Sequence, residues 1–181
     1  MTMVELLIGV ALGSAAVAMT CSLWSFSART FVALGNYADL DSRNRYALDC
    51  MLSEMRQATQ LIGFQKDGTN NWIALTNSAL GGGATTYSWD ASTRTLARRQ
   101  TGQADKTYLT ECDFWDFDLY QRTPQTNGTY MFFVATNTSA SYDASLCKLV
   151  RMSWKCSRTI LGSKVNTENV QTAQVVLRNK Q

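Results

Sequence analysis

Histidine is absent from this 181-residue chain, and proline occurs once, at Pro124. Without histidine there is no Ser-His or Cys-His nucleophile pair and no His-bearing metal site. Charge is scarce as well: Asp, Glu, Lys and Arg make up 17% of the residues, against roughly 25% in ordinary soluble domains. The net charge is only +3 and no Lys/Arg run stands out, so the footprint of a nucleic-acid binder is missing. No C-x-x-C occurs among Cys21, Cys50, Cys112, Cys147 and Cys156, which argues against redox-motif and zinc-ribbon readings. What the chain does have is a hydrophobic content of 45%, enough for a packed core and too much for wholesale disorder.

The charges are unevenly placed. From Leu6 to Ala28 no residue is charged, and every basic residue lies from Arg29 onward. As a helix this run covers about 35 Å at ~1.5 Å per residue, enough for a hydrocarbon core of ~30 Å. A secretory signal peptide is not the expectation, because no basic segment precedes the run and the run is too long. Glu5 stands at its very start. A carboxylate in lipid costs about 2.5–3.5 kcal/mol or more, so Glu5 requires a partner. The nearest positive charge is the α-amino group of Met1, on the same chain or on a neighbouring copy. A Glu5 solvated at the membrane edge is the alternative if further residues precede Met1.

The segment MTMVELLIGVALGSAAVAM combines an apolar first residue, Thr2, Glu5 and a long apolar helix. In this it resembles the mature N-terminus of the type IV pilin and pseudopilin superfamily. The tail from Cys156 to Lys180 resembles the C-termini of minor-pilin-like sequences more loosely. The resemblance implies that Met1 is a terminus made by a prepilin peptidase and N-methylated, and that a short basic leader has been removed. No cofactor is expected. One departure leaves major versus minor subunit open: the helix has no proline near its twenty-second residue, where many major pilins carry one.

Beyond Arg29 the pattern turns amphipathic. Leu48, Met51, Leu52, Met55, Ala58, Thr59 and Ile62 recur at i, i+3, i+4 spacing and predict a helical stripe, with Gly63 as its C-cap. From there turn formers punctuate β-rich runs at residues 72–76, 85–89, 95–99, 114–121, 130–136, 146–156 and 170–178, with a hairpin turn at 90–93. Trp115, Phe117 and Leu119 alternate with Asp116 and Asp118, and Val150, Met152 and Trp154 with Arg151, Ser153 and Lys155. Each is the pattern of a strand with one wet face. The expected fold is α+β: an apolar helix over 1–28, its amphipathic continuation over 29–62, and a β-rich head over 63–181 packed on the stripe as an antiparallel sheet.

Candidates for chemistry are few. Asp113, Asp116 and Asp118 lack the loop and glycine of a calcium site, and Asp116 and Asp118 read as a solvated face pairing Arg151 or Lys155. The triple glycine Gly81–Gly83 has no lysine in P-loop spacing. Gly9 and Gly13 form a G-x-x-x-G, which allows helices to approach closely in apolar surroundings; ordinary small-residue content is the alternative. Asn127 and Asn137 head N-glycosylation sequons. Cys21 reads as a packing residue. If the strands bearing them run antiparallel, Cys112 and Cys156 meet at one end of the ladder and are the preferred disulfide, with Cys112–Cys147 second and Cys50 unassigned on the face opposite the stripe.

These features point away from an enzyme and toward a structural subunit. An apolar spine of this length must be buried, first in the inner membrane beside a pilus assembly machinery and then against identical subunits in an extracellular filament. Open head-to-tail symmetry permits such growth, with Met1, Glu5, Gly9 and Gly13 as assembly residues. The alternative role is a minor pseudopilin of a type II secretion or DNA-uptake machine.

Overall fold

The computed structural model describes residues 2–76, 83–124, 130–135, 146–159 and 167–177. Among the described residues one helix, α1 (Met3–Gln57), is followed by nine strands: β1 (Gln60–Gln65), β2 (Asn70–Thr76), β3 (Ala84–Asp90), β4 (Thr95–Gln100), β5 (Lys106–Leu109), β6 (Cys112–Pro124), β7 (Tyr130–Ala135), β8 (Cys147–Ser157) and β9 (Glu168–Val176). The α+β expectation holds, but the head contains two antiparallel sheets. The first is a meander in the order β1-β2-β3-β4-β5, the second has the order β7-β6-β8-β9. Helix α1 lies against β5 and β9, an edge strand from each sheet. The triple glycine at 81–83, except Gly83, and both sequon asparagines lie outside the described residues.

The helix ends at Gln57, short of the expected residue 62. Ala58 turns extended, with φ −65° and ψ 137°, and the Thr59 N–H donates to the Thr76 carbonyl at 2.8 Å. Tertiary strand pairing outcompetes one more turn of helix here. Ile62 is therefore an exposed strand residue, and Gly63 sits in β1 at a register shift rather than at a cap. A Cβ at Gly63 would touch the Trp72 ring at 3.4 Å, so a small residue lets the indole lie flat on the strand.

The buried stripe of α1 is Leu40, Asn44, Ala47, Met51 and Met55. Its spacing is the expected i, i+3, i+4, but it is rotated relative to the predicted stripe. Leu48 and Leu52 flank the core, and so does Cys50, which does not lie on the opposite face. The rotation has a polar cause. Asn44 is fully buried and its Oδ1 accepts the Trp154 indole N–H at 2.8 Å and the Cys156 thiol at 3.3 Å. One turn from the helix end, the Glu54 carboxylate takes the Arg98 guanidinium at 3.0 Å, the Tyr108 hydroxyl at 3.2 Å and the Tyr87 hydroxyl in a short hydrogen bond. Burial and that carboxylate push the Tyr87 hydroxyl far above the ordinary phenol range.

The alternating strands behave as the pattern requires: Trp115, Phe117, Leu119, Val150, Met152 and Trp154 are all buried. Asp116 and Asp118, in contrast, do not form their ion pairs with Arg151 or Lys155. Lys66, from the end of β1, pairs with them at 2.6 and 3.3 Å, while Lys155 pairs with Glu168 at 3.1 Å. Beyond the reach of β7, the β6 edge is covered by side chains from the other sheet: Lys66 donates to the Phe117 carbonyl at 3.2 Å and Asn71 to the Trp115 carbonyl at 2.7 Å. These bonds tie the two sheets together and satisfy backbone groups that no described strand reaches.

Two substitutions test the helix–head junction. Asn44→Ala strands the buried Trp154 donor and is expected to destabilise the head by about 1–3 kcal/mol, read from the urea midpoint followed by tryptophan fluorescence. Glu54→Ala leaves Arg98, Tyr87 and Tyr108 facing no carboxylate and is expected to cost more, about 3–5 kcal/mol. A Glu54→Ala midpoint equal to wild type would mean that this cluster does not hold the helix.

Candidate assembly interface

The first buried residue of α1 is Leu40. N-terminal to Asn36, which with Asp39 still meets Arg158 of the head, the helix projects, and Met3, Leu7, Val10, Leu12, Trp24, Phe26, Phe31 and Leu34 all present most of their surface. The helix contains an apolar stretch, none of it buried, and is long and apolar enough to cross a membrane. Four of its hydroxyls are satisfied within the helix. The Ser14 hydroxyl donates to the Ala11 carbonyl at 2.9 Å, Thr20 to Ala16 and Val17 at 3.0 and 2.8 Å, Ser22 to Met19 at 2.8 Å and Thr30 to Phe26 at 3.0 Å. A hydroxyl paired in this way exposes no unmet donor to an apolar medium.

At the tip, Thr2 caps the helix. The Glu5 N–H donates to Thr2 Oγ1 at 3.4 Å, and the Thr2 N–H donates to Glu5 Oε2 at 2.9 Å. This reciprocal capping box satisfies two of the free helix-terminal donors. Its sequence signature, Thr-x-x-Glu before an apolar run, is legible at residues 2–5, yet the charge argument alone does not bring it out. Glu5 thus has a partner inside its own chain. Met1 lies outside the described residues, so the expected Glu5–Met1 pairing and the modification of Met1 are not among the contacts described.

Gly9 and Gly13 lie on the projecting helix, and a Cβ at either would meet nothing within 4 Å. Neither glycine is required by the subunit's own packing. Cys112 and Cys156 are facing residues of the β6–β8 ladder, as the antiparallel argument expects, whereas Cys147 faces Gln121 at the other end. All five cysteines are free thiols, however, so the expected Cys112–Cys156 bond is not closed. Cys112 donates to the Phe114 carbonyl at 3.3 Å, and Cys156 to Asn44.

A long apolar N-terminal helix followed by an antiparallel β head is consistent with a pilin-like architecture. No protein-family model matches the sequence, and comparison with curated proteins finds no match. The apolar projection and its capped, acidic tip therefore carry the functional argument.

If Gly9 and Gly13 serve contact between helices rather than folding, Gly9→Val and Gly13→Val will leave the head's thermal unfolding unchanged. Close approach of neighbouring backbones will be blocked, and self-association of the chain in detergent micelles, read by analytical ultracentrifugation, will weaken. Wild-type self-association of the double variant would remove the two glycines from the interface.

Proposed function

We propose that this chain is a structural subunit of a type IV pilus-like filament at the bacterial cell surface. In this reading it is held in the inner membrane by α1 before assembly and joined to identical subunits through the same helix afterwards. Met1 is then the processed and N-methylated terminus. The observation that supports this most directly is the exposure of the large apolar side chains from Met3 to Leu34, which the head leaves uncovered. Parallel helices of identical copies, each shifted along the axis, bury that surface while keeping the heads outside. Repetition of one such contact is open-ended.

Glu5 sets the register in this reading by meeting the Met1 amine of a neighbour, while also capping its own helix. The two roles separate by substitution. Gln keeps the capping geometry, since a capping box accepts Glu or Gln, but carries no charge. Glu5→Ala removes both roles. With the variant as the only copy, Glu5→Gln is expected to accumulate in the membrane with wild-type helicity and to assemble few or no fibres. Glu5→Ala is expected to assemble equally poorly and also to fray at the N-terminus, seen as faster amide exchange over residues 3–8. Full-length fibres from Glu5→Gln at wild-type yield would show that the charge has no part in assembly.

A further inference from the structure

The head carries a second device, independent of the filament reading, where the hairpin of β3 and β4 meets the first residues of β6. Arg94 closes that hairpin in the left-handed region, with φ 54°. Its carbonyl accepts the Cys112 N–H at 2.8 Å. Its Nη2 donates to the Ser157 carbonyl at 2.7 Å and the Glu111 carbonyl at 3.3 Å, and pairs with the Asp113 carboxylate at 2.5 Å. One guanidinium thus ties together the residues on either side of Cys112 and the residue after Cys156.

The two cysteines are placed for bonding. The Ser157 N–H donates to the Glu111 carbonyl at 3.1 Å, one residue outside the pair. Cys112 and Cys156 therefore occupy a non-hydrogen-bonded site of the ladder, where Cα atoms approach to about 4.5 Å. That spacing lies within the roughly 4.4–6.8 Å that disulfides span. Both thiols are buried, at 0% and 1% exposure. The other cysteines are elsewhere: Cys147 at the far end of the ladder, Cys50 on the core-facing flank of α1 and Cys21 on the exposed helix.

We propose that Cys112 and Cys156 are a shielded dithiol that closes to a disulfide inside the folded head, with Arg94 as the gate that limits access to it. The oxidant is a small-molecule or protein disulfide. One cysteine sulfur, as the thiolate, attacks it, forms a mixed disulfide and releases one thiol. The second cysteine sulfur then attacks the mixed disulfide, closes the Cys112–Cys156 bond and releases the other. Two electrons pass to the oxidant's S–S bond, and the two thiol protons end on the released thiols. Closure needs no change of strand register. It removes the Cys156 proton that Asn44 accepts and leaves that side chain to Trp154. Because the sulfurs are buried, oxidation proceeds through local opening of this ladder end, which the Arg94 contacts oppose.

The test uses the full-length reduced protein in detergent micelles. Alkylation of each cysteine by iodoacetamide is followed by peptide mass spectrometry, with the exposed Cys21 as internal reference. Arg94→Gly removes the guanidinium while suiting the positive φ. It is expected to speed alkylation of Cys112 and Cys156 by about tenfold, as for the loss of one charged hydrogen bond, with Cys21 unchanged. Oxidised glutathione is expected to produce the Cys112–Cys156 link in the wild type with an unaltered far-UV circular dichroism spectrum, and faster in Arg94→Gly. A link through Cys147 or Cys50, or no link, overturns the dithiol. An unchanged alkylation rate in Arg94→Gly overturns the gate. Should that variant lose the head's spectrum, Arg94→Lys replaces it, keeping the charge without the planar fork, and an unchanged rate there likewise overturns the gate.

Discussion

The structure is organised around an apolar helical surface that its own head does not cover. From Met3 to Leu34 the exposed large side chains run along about 48 Å of helix at ~1.5 Å per residue. Burying such side chains fully is worth roughly 1.5–3 kcal/mol each, which over this segment amounts to tens of kcal/mol. Domain stabilities of about 5–15 kcal/mol are small beside that figure. The surface must therefore be covered by lipid or by protein at every stage. A bilayer core of ~30 Å covers about 20 residues, close to the charge-free run from Leu6 to Ala28. Phe31, Val32 and Leu34 lie beyond Arg29 and outside that span, and they remain exposed on the isolated subunit. In the proposed filament, neighbouring helices would cover both parts at once, which a membrane of ordinary thickness does not.

A projecting spine is useful only if the head holds it at a fixed angle, and the contacts that do so are polar as well as apolar. Met51 and Met55 supply burial, but methionine side chains adapt to many geometries and specify none. Asn44 and Glu54 are directional. The first reaches Trp154 and Cys156 in the second sheet, the second Arg98, Tyr87 and Tyr108 in the first. Each sheet is therefore keyed to the helix by its own buried hydrogen bonds. Nearer the projecting part, Arg158 joins Asn36 and Asp39 of the helix at 3.0 and 3.1 Å to Glu111 of the head at 2.8 Å. Rotation of the helix about its axis breaks these bonds together.

Much of this was legible in the sequence wherever one periodicity dominated. The uncharged run, the alternation around Trp115 and Trp154 and the antiparallel meeting of Cys112 with Cys156 each follow from spacing alone. The stripe on α1 did not, because Asn44 belongs to it and a hydropathy pattern assigns an asparagine to solvent. Only the distant Trp154 donor makes that position an interior one. The helix end was misplaced for a similar reason. Ile62 and Leu61 suit either state, and the pairing of β1 with β2 decided between them. β1 and β5 went unseen because an interrupted six-residue run and a four-residue run give weak alternation. The partner of Asp116 and Asp118 was missed because Lys66 arrives from the other sheet.

The tip of the helix shows how one side chain can serve both the isolated subunit and a contact. A carboxylate has two oxygens and about four acceptor positions, and among the described residues the Thr2 N–H takes one, on Oε2. Capping therefore leaves Glu5 able to accept a second donor from outside the chain. Its negative charge also lies in the first helical turn, where the dipole favours an anion. Both effects lower the burden of carrying a carboxylate at the edge of an apolar segment, so a subunit can wait in a membrane with Glu5 only partly satisfied. The unfilled acceptor capacity is what a neighbouring amine would complete. In that arrangement the capping box does not compete with assembly: it holds the carboxylate in one rotamer and presents the free oxygen at a fixed height along the spine.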